Sequence, residues 1–286
     1  MYVARVGIVG CGTMGAGIAE ISARAGVDVR VVVSRPTSAD RARARITGSL
    51  GRLVAKGRLT EADRDATLGR ISFVTELDAL ADRQLVIESI TEDEPAKLAL
   101  FKELDRALPQ PDAVIASNTS SIPIHRLAEV TSRPERVAGI HFFNPVQVLP
   151  LVELVASETT GEHARRTVHR FAAEQLGKQV VWSPDRVGFT VNGLLIPFLL
   201  SAVRMVESGL TTAEAVDQAM KLGCNHPLGP LELADLIGLD VVASTADALH
   251  REFREPLYEP PELLLRLVAE GAIGRKAGRG FHTYPR

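Results

Sequence analysis

Three polar segments interrupt the apolar sequence at places where folding alone does not call for them. Ser117–Asn118–Thr119–Ser120–Ser121 follows the apolar run Ala113–Ala116. Gly139–Ile140–His141–Phe142–Phe143–Asn144–Pro145 places a histidine directly after another run, and Glu153 lies inside a third, Leu151–Val152–Glu153–Leu154–Val155. A carboxylate flanked by apolar residues on a strand is costly to bury without a partner, and a histidine is the natural one. A lone His141 reads as a core residue bonded to a backbone carbonyl. With Glu153 and the flanking polar motifs beside it, the reading becomes catalytic.

A fourth segment points to a nucleotide. Gly10–Cys11–Gly12–Thr13–Met14–Gly15 follows one apolar run, Val6–Val9, and opens an amphipathic stretch that ends near Ala25. The glycines allow a tight turn, a close approach of the backbone to a pyrophosphate, and close helix–strand packing. The helix N-terminus then offers free N–H groups and a partial positive charge. At the end of the next run the acidic residue that would hold the ribose hydroxyls of NAD is missing, and the sequence reads Val32–Val33–Ser34–Arg35–Pro36. A serine hydroxyl and a guanidinium can bind the 2′-phosphate that a carboxylate would repel, which tips an NAD(P) site narrowly toward NADP. The alternative is that Ser34 bonds a ribose hydroxyl and Arg35 stacks on adenine, leaving NAD usable.

These segments need a frame to hold them. Apolar runs at Val6–Val9, Val29–Val33, Leu85–Glu88, Ala113–Ala116, Val137–Ile140 and Leu151–Val155 alternate with helical stretches, among them 38–56 and 60–69. Continuous apolar runs belong to parallel strands covered on both faces, so residues 1–183 predict a doubly wound, mostly parallel, Rossmann-like α/β sheet. The polar segments then fall at the carboxyl ends of strands, where ligands bind in such sheets. After the break Ser183–Pro184–Asp185 the pattern turns helical, with helices expected at 190–208, 211–222, 229–236, 238–253 and 261–270. Residues 184–286 are therefore expected to form an all-helical C-terminal domain. Its first helix is almost uniformly apolar, which predicts burial in a core or an interface and suggests a homodimer formed through this domain.

Composition excludes other classes. Hydrophobic residues make up 45% and charged residues 24% of 286, the balance of an ordered globular protein. The formal net charge of −2 favours neither nucleic acid nor an anionic membrane as partner. Two cysteines, Cys11 and Cys224, lie in unrelated contexts, which argues against a disulfide framework or a metal site and fits a reducing cytoplasm. No run of 18 apolar residues and no secretory signal pattern is visible, so membrane spanning and secretion are not expected. The basic cluster Arg41, Arg43, Arg45, Arg52 and Lys56 reads first as a solvated helix face.

Together these residues resemble the 3-hydroxyacyl-CoA dehydrogenase family, its short 3-hydroxybutyryl-CoA members most of all. The resemblance spans nearly the whole chain. It rests on Gly-Cys-Gly-Thr-Met-Gly-Ala-Gly-Ile-Ala at 10–19, Ser-Asn-Thr-Ser-Ser at 117–121, His-Phe-Phe-Asn-Pro at 141–145 and Gly-Phe-Thr-Val-Asn at 188–192. It continues with His-Pro-Leu-Gly-Pro at 226–230 and Gly-Arg-Lys-Ala-Gly-Arg-Gly-Phe at 274–281. The resemblance implies that His141 is the general base for the 3-hydroxyl and that Glu153 orients and stabilises its imidazolium. It implies that Ser120 and Asn192 bond the reacting oxygen or the thioester carbonyl. The cofactor would meet Gly10, Gly12, Thr13, Met14, Gly15, Glu92, Lys97, Asn118 and Asn144, with Lys276 reaching back to close the site. Ser49 and Lys56 would touch the nucleotide end of coenzyme A, giving the basic helix a use. Gly48 and Gly51 are expected to make that helix less regular, which leaves an acyl carrier protein open as the carrier. Alternatives of the same fold are a dehydrogenase for a sugar acid and a non-catalytic dinucleotide-binding protein. Of the other histidines, His125, His163, His169 and His250 read as surface, His226 as a structural turn residue and His282 as packing.

Overall fold

Short runs of Val, Ile and Leu pair into a single eight-stranded sheet. Its strands are β1 (Arg5–Val9), β2 (Asp28–Val32), β3 (Ile71–Val74), β4 (Leu85–Glu88), β5 (Val114–Ser117), β6 (Val137–Phe142), β7 (Leu151–Val155) and β8 (Gln179–Ser183). They lie in the order β3-β2-β1-β4-β5-β6-β7-β8. The first six run parallel, β7 is antiparallel to β6, and β8 is parallel to β7. Every residue of β4, β5 and β6 is buried, as strands covered on both faces must be. The helices of this part are α1 (Thr13–Arg24), α2 (Pro36–Ala55), α3 (Glu61–Gly69), α4 (Glu94–Ala107), α5 (Ile124–Ala128) and α6 (Glu162–Arg170). The computed structural model describes residues 2–285, and they form two compact units that part between Arg186 and Val187.

Two strands were not foreseen, β3 and β8, and both are edges of the sheet. An edge strand is covered by one neighbour only, so it carries a short apolar run among exposed positions rather than a continuous buried one. In β8 only Ser183 is buried. The expected irregularity of the basic helix is not observed: α2 runs unbroken through Gly48 and Gly51. Ala42, Ile46 and Leu50, spaced four apart, bury one stripe of it, and that burial outweighs about 1 kcal/mol of helix propensity lost at each glycine. Arg41, Arg43, Arg45, Arg52 and Lys56 all stand exposed.

The second unit is helical: α7 (Val191–Glu207), α8 (Ala213–Cys224), α9 (Pro230–Ile237), α10 (Leu239–Phe253) and α11 (Glu262–Ala269). Beyond Ser183 the only β structure among the described residues is isolated bridges. Burial of α7 is one-sided. Ile196, Leu199, Leu200 and Val203 enter the helical core, whereas Leu194 is 71% and Met205 56% exposed. Spacings of three and four residues put the buried set on one face and leave the remaining apolar residues outside. The C-terminal tail is pinned by Asp235, a buried carboxylate that accepts from the backbone N–H groups of Phe281 and His282 and from the Tyr284 hydroxyl. Burial, followed by the bond to Asp235, pushes the Tyr284 phenol up to about 12. His282 is more than packing, since its Nε2 lies 2.7 Å from the buried Asp217 carboxylate. His250 is half-buried rather than on the surface, and its Nδ1 finds no hydrogen-bond partner.

Candidate active site

The glycine turn is shaped for close backbone approach. Gly10 has φ +99°, and a Cβ there would fall 2.4 Å from the Ser89 carbonyl oxygen. A Cβ at Gly15 would fall 2.1 Å from the Gly10 carbonyl oxygen. These two glycines let β1 turn into α1 under the end of β4. Gly12 differs: it is the N-cap of α1, and a Cβ there would meet nothing within 4 Å. It therefore leaves open space at a helix N-terminus whose first turn carries no acidic residue. That cradle fits the pyrophosphate of a dinucleotide. Thr13 is exposed there, and Met14 packs partly against the core. Ser34 and Arg35 stand exposed at the end of β2, with Arg35 as the N-cap of α2. Burial pushes the Cys11 thiol up, and the charges of Arg41 and Arg45 on α2 offset part of that rise.

The histidine and the carboxylate meet because two strands bring them opposite each other. The antiparallel register of β6 and β7 pairs His141 with Glu153. Directly opposed residues share a face of the sheet, where side chains touch. His141 Nδ1 lies 3.0 Å from Glu153 Oε2, with His141 6% and Glu153 0% exposed. A carboxylate beside Nδ1 holds the proton on that nitrogen, so Nε2 carries the basic lone pair. The Phe143 ring packs against the imidazole with centroids 4.5 Å apart. Ser183, at the end of β8, donates its hydroxyl to Glu153 Oε1 at 2.7 Å.

The serine segment is held by a second set of carboxylates. Glu88, fully buried at the end of β4, accepts from Lys97 Nζ at 2.8 and 3.0 Å, from the Ile90 N–H at 2.7 Å and from the Ser117 hydroxyl at 2.5 Å. Lys97 is 1% exposed and reaches Glu92 Oε2 at 3.0 Å. Glu92 Oε1 in turn accepts from the Thr119 hydroxyl and from the Ser120 and Ser121 N–H groups. Burial alone would push the Glu92 carboxyl up, but the Lys97 charge and the bonds from Thr119, Lys97 and Ser121 hold it at about 2. Asn118 ties this loop to the histidine strand: its Oδ1 accepts from the Phe142 N–H at 2.9 Å, and its own N–H donates to the Glu88 carbonyl.

The first unit thus gathers Gly10, Gly12, Thr13, Gly15, Glu92, Lys97, Asn118, Ser120 and His141 around the ends of β1, β4, β5 and β6, with Glu153 joining from the middle of β7. Asn144 is exposed just past β6. Ser49 is half-buried and Lys56 exposed at the far end of α2. Asn192 and Lys276 belong to the second unit, where Asn192 is half-buried in the first turn of α7 and Lys276 Nζ lies 2.7 Å from both carboxylate oxygens of Asp240. Sequence reasoning missed Glu88 and Ser183, and it gave Ser117 and Thr119 no role of their own within the polar segment it singled out. Glu88 carries nearly the signature that exposed Glu153, a carboxylate attached to an apolar run, here at its end rather than inside it. Ser183 carries none, because it sits where the pattern reads as a break.

Comparison with known proteins agrees over the whole chain. Residues 5–186 match the NAD-binding domain of 3-hydroxyacyl-CoA dehydrogenase, and residues 188–284 match the C-terminal domain of that enzyme. The chain belongs to the 3-hydroxyacyl-CoA dehydrogenase family. Within this family, the 3-hydroxybutyryl-CoA dehydrogenase of Mycobacterium tuberculosis is 56% identical over 280 residues, covering 98% of each chain. The crystal structure of M. tuberculosis FadB2 superposes with a TM-score of 0.97 at 55% identity, with 100% of both chains covered. The (S)-3-hydroxybutyryl-CoA dehydrogenase PaaH1 of Ralstonia eutropha gives 0.93 at 43% identity, covering 99% of this chain and 100% of that one.

Proposed function

We propose that this dehydrogenase interconverts short-chain (S)-3-hydroxyacyl-CoA, 3-hydroxybutyryl-CoA foremost, with the 3-ketoacyl-CoA. The observation that carries the reading is the buried His141–Glu153 pair, with the carboxylate against Nδ1 of the imidazole. When bound, the nicotinamide cofactor supplies the hydride acceptor. His141 takes the proton of the 3-hydroxyl on Nε2, and Glu153 offsets the imidazolium charge that results. In reduction the same proton returns to the carbonyl oxygen. Ser120 and Asn192 are proposed to bond the reacting oxygen or the thioester carbonyl. Glu92, Asn144 and Lys276 are assigned to the cofactor. Lys97, spent in its two ion pairs, supports Glu92 from behind rather than reaching the cofactor itself.

Ser34 and Arg35, with Arg41 and Arg45 nearby on α2, favour a 2′-phosphorylated cofactor by a narrow margin. Ser49 and Lys56 are assigned to the nucleotide end of coenzyme A, whose phosphates an exposed basic helix attracts. The exposed Leu194 and Met205 on α7 support a homodimer through the helical unit. No helix among the described residues is long and apolar enough to cross a membrane, and the two cysteines are free, in keeping with the cytoplasm. Initial rates with acetoacetyl-CoA under NADH and NADPH in parallel test substrate and cofactor together. Turnover with a modest NADPH preference is expected; no turnover of any short 3-ketoacyl-CoA overturns the substrate, and a large NADH preference overturns the cofactor assignment.

A further inference from the structure

Three neighbouring strands deliver three polar side chains to one face of the sheet. His141 on β6 stands opposite Glu153 on β7, and the parallel register of β7 with β8 pairs Val155 with Ser183. Residues two apart on a strand share a face, so Ser183 is the diagonal neighbour of Glu153 on the side away from His141. Glu153 is 0% and Ser183 7% exposed, and the hydroxyl meets Oε1 at 2.7 Å while Oε2 meets the imidazole at 3.0 Å. A carboxylate that far from water depends on donors for its charge and its orientation. Ser183 supplies one on the oxygen that the histidine does not use.

We infer that Ser183 is a positioning residue for catalysis, completing a His141–Glu153–Ser183 chain in which the hydroxyl fixes the carboxylate that supports the imidazole. This rests on the proposal that the His141–Glu153 pair transfers the proton. Ser183 exchanges no proton with substrate. Its hydroxyl stays a donor throughout, while the substrate proton moves to and from His141 Nε2. Fixing Oε1 sets the rotation of the carboxylate about its terminal bond and so aims Oε2 at Nδ1. Without it the carboxylate turns to find another donor, and the support for the imidazolium weakens when the charge develops, with substrate binding untouched.

The test is a double-mutant cycle on the full chain, with kcat and KM measured for acetoacetyl-CoA and for reduced cofactor. A charge-assisted hydrogen bond of this kind predicts that Ser183→Ala lowers kcat roughly tenfold with both KM values within about twofold. Ser183→Thr, which keeps the hydroxyl, should restore kcat. In a Glu153→Gln background Ser183→Ala should cost nothing further, because the hydroxyl acts through the carboxylate. If Glu153→Gln lowers kcat but Ser183→Ala does not, the Ser183 role is wrong while the pair stands. If the two losses multiply, or if Thr fails to rescue a well-folded Ala variant, Ser183 acts only on packing and the inference falls. If Glu153→Gln itself leaves kcat unchanged, the proton-transfer pair is what fails.

Discussion

Lys97→Met should be one of the most costly single changes in the first unit. Lys97 is 1% exposed and packed against Glu88, which is 0% exposed, at 2.8 Å. Removing the ammonium leaves the Glu88 carboxylate buried with the Ile90 N–H and the Ser117 hydroxyl as its donors. Stranding one charge of a buried pair costs about 3–5 kcal/mol. The Glu92 arm, near the surface, is screened by water and adds less. For a chain of this length a loss in that range lowers Tm by roughly 10 °C. Urea denaturation of the wild type, Lys97→Met, Glu88→Gln and the double variant measures both the loss and the coupling. The double variant should lose clearly less than the sum of the singles, because it buries no unpaired charge. A loss below about 1 kcal/mol for Lys97→Met, or strict additivity, would refute the buried-pair reasoning.

Four further predictions follow from the same geometry. Glu92 has its folded pKa depressed to about 2, so its ionised form is favoured by the fold. Its contribution is complete above the ordinary carboxylate range, about pH 4.5, and is lost as pH falls toward 2; acid titration of stability should lose part of its slope in that window in Glu92→Gln. Ser34→Asp places the missing carboxylate at the end of β2 and should cut kcat/KM for NADPH by roughly a hundredfold, with NADH spared, in steady-state assays. Gly12→Val has open space around it and should lose no more than about 1 kcal/mol, the cost of a poorer N-cap, yet it should weaken cofactor binding at least about tenfold by filling the cradle. Gly10→Ala, at φ +99° and against the Ser89 carbonyl, should instead cost about 1–3 kcal/mol of stability.

The parallel centre of the sheet was legible because β1, β2, β4, β5 and β6 are buried strands, and burial on both faces writes a run of apolar residues that period and length reveal. The edges were not: β3 and β8 are partly exposed, so their sequences resemble the loops around them. The His141–Glu153 pair was readable from a carboxylate in an apolar strand. Its third member was hidden, since a serine is at home in a turn and only the register of β8 against β7 shows that Ser183 faces the carboxylate. The network behind the serine segment was half legible. Glu92 and Lys97 were expected at the cofactor by resemblance, yet Lys97 lies buried between two carboxylates, and nothing short of three dimensions joins residues 88, 92, 97 and 117–121. The apolar α7 was legible only in part, because composition reports how apolar a helix is but not which side its neighbours cover.

The claim at the centre is that His141 transfers the proton, and His141→Gln tests it most directly. Reduction of acetoacetyl-CoA is followed at saturating reduced cofactor, with cofactor affinity measured separately by the fluorescence of the reduced nicotinamide on binding. A positioned general acid–base contributes about 10²–10⁴ in rate, so kcat should fall by at least a hundredfold while cofactor affinity stays within about twofold. A well-folded His141→Gln variant that keeps near-wild-type kcat would contradict the assignment.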